Sequence, residues 1–258
     1  MASALTTAFG AEIVRVPLLP LGMLNAHIVF RDQRAIIVDA GLPGTAPRFE
    51  RALAERRLGW GNVRLIVVTH GHVDHAGDAA RMRDLSGAPI VAQRRELPVL
   101  QGEEQVTRCP TGWFGRAFLK TRLPFQAFEP FRADVVVDDA PMDLASFGIP
   151  GQLLPTPGHT AGSLSVELPG SVALVGDLVA SGILLGGIAF TERCQQPPFE
   201  DDPAEVADQL ERLLETGTET FLLGHGGPVT GAAVRQHVRR LRQIARMGRS
   251  ARAQPAKG

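Results

Sequence analysis

A run of four apolar residues, Leu65 to Val68, gives way without a spacer to Thr69-His70-Gly71-His72-Val73-Asp74-His75. Four side chains able to ligate a metal therefore leave one short turn, and a buried strand ending just before them supplies a rigid platform. The chain has only seven histidines, so three of them sharing one H-x-H-x-D-H stretch stand well above its background. Imidazole nitrogens beside a carboxylate suit a borderline cation such as zinc. Whatever the chain folds into must hold this turn at a strand end and bring further ligands to it.

Patterning on either side of the turn predicts alternating strands and helices. Strands are expected at Ile13–Leu19, Ala26–Phe30, Ala35–Val38 and Leu65–Val68, with helices at Pro47–Leu58 and Ala76–Leu85. A second series lies further along: strands at Val135–Val137, Gln152–Leu154, Leu164–Leu168, Val172–Val175 and Phe221–Leu223, and a helix at Pro203–Leu214 with Asp202 as its cap. With 258 residues and 44% hydrophobic content, the chain can bury one large core. The reading is a single domain over 1–248 made of two halves alike in element order, with an insertion at about 94–132 and a frayed tail at 249–258.

Charge and composition exclude several function classes. Formal net charge is zero, so no overall basic field draws nucleic acid. Only Cys109 and Cys194 are present, which rules out a disulfide framework and fits a reducing compartment. No basic stretch precedes the first apolar run, and Glu12 and Arg15 interrupt the apolar residues beyond it, so a cytoplasmic protein with no membrane partner is expected. The uncharged stretch 144–166 is broken by Pro150, Pro155, Pro157, Gly158 and His159 and is unlike a membrane helix.

Three more positions place a potential ligand at a strand end beside turn residues. His159 lies in Pro-Gly-His-Thr after Gln152–Leu154, Asp177 ends Val172 to Gly176, and His225 sits in Gly-His-Gly-Gly after Phe221–Leu223. His27, within a strand pattern, and His237, within an arginine-rich helix, read as ordinary residues, His237 as a solvated one.

In that order, His-x-His-x-Asp-His, Pro-Gly-His-Thr, Leu-Val-Gly-Asp and Leu-Gly-His-Gly resemble the metallo-β-lactamase superfamily of binuclear metal hydrolases, over about Asn25 to Val229. The resemblance implies a four-layer αββα sandwich, an α/β fold of two mixed sheets flanked by helices. It implies two divalent metal ions, zinc first with iron or manganese as alternatives. One would be held by His70, His72 and His159, the other by Asp74, His75 and His225, with Asp177 bridging both. Asp74 would also orient a metal-bridging hydroxide, and Asp39 would support a ligand from behind.

The same resemblance implies hydrolysis of a small-molecule substrate, and the bridging Asp177 points to an ester, thioester or lactone bond, as in the glyoxalase-II-like and lactonase branches. β-Lactam hydrolysis is an alternative, although β-lactamases of this fold lack a bridging carboxylate like Asp177. A mononuclear iron persulfide dioxygenase is another, since such enzymes keep the histidine motif. Lactonases that resemble this chain place a Tyr beyond the bridging Asp, and here there is no Tyr at all. The segment from Arg94 to Arg132, with Trp113, Phe114, Phe118, Phe125, Phe128 and Phe131, is either a helical insertion with its own small core or a cover over the substrate. Together with the glycine-rich apolar run Ser181–Phe190, it suggests a partly apolar substrate. The arginines from Arg235 to Arg252 read as a solvated helix face, with an anionic ligand as the alternative. Oligomeric state is left open, a homodimer included.

Overall fold

The computed structural model describes residues 4–6 and 10–253. Seven strands form the first sheet in chain order: β1 (Ala4–Thr6), β2 (Glu12–Pro17), β3 (Asn25–Arg31), β4 (Arg34–Val38), β5 (Val63–Val67), β6 (Ile90–Gln93) and β7 (Val135–Val137). The first four pair antiparallel and the last four run parallel. The parallel crossovers carry α1 (Ala46–Ala54), then α2 (Val73–Ala76) and α3 (Ala79–Ser86), and then α4 (Leu97–Leu100) and α5 (Gly112–Phe118).

The second sheet takes β8 (Met142–Asp143), β9 (Gln152–Pro155), β10 (Leu164–Leu168) and β11 (Val172–Leu174) as an antiparallel run. A small ribbon of β12 (Ala180–Ser181) and β13 (Cys194–Gln195) and helix α6 (Pro203–Glu215) come next. Then β14 (Thr220–Leu222) joins parallel to β11, β15 (Val229–Thr230) closes the edge, and α7 (Gly231–Ala253) ends the described chain.

Strand alternation builds the layers, because successive residues point to opposite faces. Val29, Ile36, Leu65 and Val67 of the first sheet pack on Leu153, Val166, Leu174 and Leu222 of the second, forming the core between the sheets. Their neighbours Ile28, Ile37 and Ile66 face outward onto Phe49 and Leu53 of α1 and Met82 of α3. On the far side Ala173 and Phe221 meet Val206 and Leu210 of α6 and Val234 and Leu241 of α7. This is the expected four-layer αββα sandwich. The helix predicted at Ala76–Leu85 is α3, which starts later, at Ala79, and a break beginning at Gly77 separates it from the short α2 before it. There a Cβ would run into Val73 O, and would lie 2.7 Å from Gly41 O.

One expectation changes. His237 is not solvated but 1% exposed, on the α7 face that carries Val234, Val238 and Leu241 into the core. Spacing of three and four residues puts it there despite the flanking arginines. The arginine face is solvated as expected, with Arg235, Arg239, Arg240 and Arg246 exposed, while Arg235 pairs with Glu219 and Arg242 with Asp208 and Glu211. Arg249, Arg252 and the tail 254–258 lie outside the described side chains. Among the described residues no helix is long and apolar enough to cross a membrane.

Candidate metal centre

Strands β4, β5, β9, β11 and β14 all end at one rim of the sandwich, and the residue just after each end, or a few beyond it, is a potential ligand or its support. After β5, Thr69 and His70 leave the sheet, His72 caps α2 in an extended conformation, and Asp74 and His75 occupy the helix itself. His159 follows β9, Asp177 follows β11 and His225 follows β14. All seven side chains expected from the sequence meet here. They form three overlapping groups: His70, His72 and His159; His70, His75 and Asp177; and Asp74, His75 and His225. His27, on β3 between Arg15 and Val38, is in none of them.

The first group is a triangle of nitrogens. His70 Nε2 is 3.0 Å from His72 Nδ1, and His159 Nε2 is 3.1 Å from His70 Nε2 and 3.2 Å from His72 Nδ1. Ligand nitrogens about 2.0–2.1 Å from a tetrahedral zinc stand roughly 3.3 Å apart, so the triangle has nearly the size of one face of such a site. Asp74, His75, Asp177 and His225 together make a second group that mixes nitrogen and oxygen: His225 Nε2 lies 3.2 Å from both Asp74 Oδ2 and Asp177 Oδ2, and His75 Nε2 lies 3.3 Å from Asp177 Oδ1. Asp177 also reaches the first group, its Oδ2 being 3.9 Å from His159 Nε2.

Partners behind the rings select which nitrogen faces inward. Asp39 Oδ2 accepts from His75 Nδ1 at 2.8 Å and from the Thr69 hydroxyl at 3.0 Å, and Thr69 Oγ1 in turn meets His70 Nδ1 at 3.0 Å. The Met23 carbonyl accepts from His225 Nδ1 at 2.5 Å. With Nδ1 engaged from behind, His70, His75 and His225 each turn Nε2 to the centre. Asp39 thus supports two ligands, one through Thr69, from a left-handed backbone conformation (φ 65°).

Among the described residues, four buried atoms of the cluster, His72 Nε2, His75 Nε2, His159 Nδ1 and Asp177 Oδ1, have no hydrogen-bond partner of acceptable geometry. Buried polar atoms are rarely left so, and two of them, His75 Nε2 and Asp177 Oδ1, face each other in the second group. Burial holds the first group's rings neutral, lowering His72 to about 4 and His159 to about 3, with His70 well below the ordinary imidazole range. In the second group burial again opposes charge, but Asp177 and its neighbouring carboxylates outweigh it, lifting His225 to about 10 and His75 well above the ordinary range. Conversely, burial favours protonated Asp74 and Asp177, yet the facing His75 and His225 rings hold both carboxyls below the usual range. The second group thus sets carboxylates and imidazoles so that each favours the charged form of the other, and its donor set suits a divalent cation.

Two glycines are fixed by crowding. At Gly224 a Cβ would run into Asp177 Oδ1 and His75. At Gly71 it would lie 2.8 Å from Glu96 Oε2. Glu96 belongs to none of the motifs that mark the site in the sequence. Its buried carboxylate accepts from Gly71 N at 2.7 Å, Gly162 N at 2.9 Å and Thr160 Oγ1 at 2.7 Å, tying the His70–His72 turn to the His159 loop. Burial pushes its carboxyl up, against the pull of those three donors. Its signal in the chain is faint: a Glu between the predicted elements, 25 residues beyond the glycine it holds.

Above the cluster lies a pocket of about 270 Å³, whose floor includes His72, Asp74, His159, Asp177 and His225. Its walls come from Leu24 and Leu42, from Leu185, and from Phe118, Leu123 and Pro124 of the segment between Arg94 and Arg132. Phe118 stacks on Phe199, which meets the edge of His72. The position of that segment against the pocket favours a cover over a separate small core.

Comparison with known proteins agrees with this geometry. The profile of the metallo-beta-lactamase superfamily matches residues 19–225. A probable metallo-hydrolase of Bacillus subtilis, YflN, is 28% identical over 216 residues, covering 80% of this chain and 80% of the relative. A hydroxyacylglutathione hydrolase of Haemophilus influenzae, GloC, is 26% identical over 211 residues, covering 80% of this chain and 87% of its own. Among solved structures, a metallo-beta-lactamase of Cronobacter sakazakii mutated in its HARLDQ motif superposes with a TM-score of 0.65 at 22% identity, over 94% of this chain and 96% of that one. At that identity the likeness is one of fold.

Proposed function

The chain belongs to the metallo-beta-lactamase superfamily, and on that premise we propose that its two ligand groups hold a pair of divalent cations, zinc first, with which it hydrolyses an ester, thioester or lactone bond of a small, partly apolar substrate. The observation that carries this reading is the convergence of five imidazoles and two carboxylates, with unpartnered buried atoms facing one another, on the floor of an apolar-walled pocket. Paired divalent cations supply hydroxide at neutral pH and polarise the carbonyl under attack.

The chain's own groups supply the rest. Asp74 is the ligand carboxylate most open to the pocket, its side chain 29% exposed, and it is held ionised by His75 and His225. It accepts a hydrogen bond from the attacking water and orients it toward the carbonyl carbon. The new carbon–oxygen bond forms as the bond to the alcohol or thiol breaks, and the proton taken from the water leaves with that group. Leu24, Phe118, Leu185 and Phe199 bury the acyl part and exclude bulk water. The name of the Haemophilus influenzae relative, a hydroxyacylglutathione hydrolase, supports an acyl thioester among the candidates.

Elemental analysis of freshly purified protein, followed by an ester, thioester and lactone panel of rising acyl length, tests the reading. About two zinc ions per chain and rates that rise with acyl length are expected. About one iron per chain with oxygen consumption on a persulfide would replace the reading with the dioxygenase, and turnover confined to β-lactams would replace the substrate class. Asp177→Ala should lose metal and activity together, with kcat/KM falling by more than about a hundredfold. Full activity of that variant under metal-limited conditions would overturn the binuclear centre.

A further inference from the structure

The pocket wall contains one arginine, Arg108, among otherwise apolar or amide side chains. It is half-buried and held in place from several sides. Its guanidinium donates to the carbonyls of Val106 and Pro124 and lies 4.7 Å from the centroid of the Phe125 ring. The neighbouring Arg94 and Arg95 are paired with Asp138 and Asp139. Among the described residues Arg108 has no such carboxylate partner. Of the five N–H donors of a guanidinium, two are spent on those carbonyls, which fix the plane of the group and leave three donors for a ligand. Burial disfavours its charge, and Asp74, which lines the same pocket, only partly relieves this.

A cation fixed by backbone carbonyls and an aromatic ring, half removed from water and with no carboxylate in ion-pair contact among the described residues, is arranged to meet an anion from outside the chain. A planar carboxylate matches its fork with two parallel hydrogen bonds. Resting on the hydrolase reading above, we propose that Arg108 is a specificity-determining residue that binds a carboxylate on the acyl part of the substrate. The substrate class is then the monoester or monothioester of a dicarboxylic acid. The methylene chain lies against Phe118 and Leu123, and the scissile carbonyl sits over the cluster.

Two thioesters of one thiol, butyryl and glutaryl, test this with the metal-reconstituted wild type, Arg108→Gln and Arg108→Lys. The wild type should favour the glutaryl thioester in kcat/KM by about tenfold or more, as for a desolvated charge-assisted pair. That ratio should collapse toward one in Arg108→Gln and be intermediate in Arg108→Lys, which keeps the charge without the fork. Calorimetry with the matching non-hydrolysable amides gives a second readout, and the wild type should bind the glutaryl amide more tightly by a similar factor. Equal affinity for the two amides, or a glutaryl preference that survives in Arg108→Gln, overturns the role of Arg108. If neither thioester is cleaved, the thioester branch of the hydrolase reading falls while the amide pair still decides whether Arg108 binds carboxylate.

Discussion

The ligand rim and the segment from Arg94 to Arg132 face each other across one pocket and are built on opposite principles. The rim is polar and buried, its side chains issuing from strand ends and fixed from behind by Asp39, Thr69, Glu96 and the Met23 carbonyl. The cover consists of short helices and irregular chain, and it leaves Trp113 70% and Phe125 53% exposed. Strands hold a ligand to within the tolerance a metal accepts, whereas a loop-rich wall can change shape and composition without disturbing the sheets. On the proposed function, chemistry and selectivity are thereby placed in separate parts of the chain.

Glu96 offers the sharpest way to break that division, because by position it opens the cover and by contact it belongs to the rim. Glu96→Ala leaves the Gly71 and Gly162 amides and the Thr160 hydroxyl without their acceptor, and unmet buried donors cost about 1–3 kcal/mol each. A loss of about 3 kcal/mol in chemical denaturation, together with weaker metal retention on dialysis, is expected. A variant with unchanged stability and metal content but a raised KM would assign Glu96 to the cover instead.

Phe118 tests the other side. Its ring stacks between Phe114 and Phe199 on the pocket wall. Removing it in Phe118→Ala should raise KM for apolar acyl substrates about three- to tenfold, the equivalent of a lost aromatic pair, while metal content stays at the wild-type level. Loss of metal from this variant would show that cover and rim are mechanically one unit.

The smallest effect lies outside both regions. His237 is buried with no partner for either ring nitrogen among the described residues, and burial lowers it to about 4. Its folded-state value is below that of the unfolded chain, near 6.5, so the unfolded state takes up the proton first. Stability is therefore intact above about pH 6.5 and declines as the pH falls toward about 4. His237→Leu should be close to wild type in thermal melting at about pH 7.5 and should flatten the decline between about pH 6.5 and 5. An unchanged acid slope would place that sensitivity elsewhere.

Much of the rim was legible in the chain because local rules made it so. Four of the seven residues are nearly contiguous, and His159, Asp177 and His225 each stand at the end of an apolar strand beside a glycine, where backbone turns and side chains can project. Asp39 was legible only through resemblance, as the support its hydrogen bonds to His75 and Thr69 now show. Glu96 and Arg108 were not legible, since a glutamate or an arginine between elements is ordinary surface composition. Their roles come from contacts with Gly71 and Gly162 in one case, and from the pocket and Asp74 in the other. His237 was misread because its arginine neighbours outweighed a helical spacing that pointed inward.

The sequence by itself determined the element order, the strand-end positions of the ligands and the family they signal, because strand alternation and turn chemistry act over a few residues. Only the tertiary structure decided which nitrogen each histidine presents, that Glu96 ties the His70–His72 turn to the His159 loop, and that Phe118 and Arg108 of the aromatic segment line the pocket above the cluster. Those are matters of distance between residues far apart in the chain. They are settled when the two sheets pack and bring His70, Asp177 and His225 to a single rim.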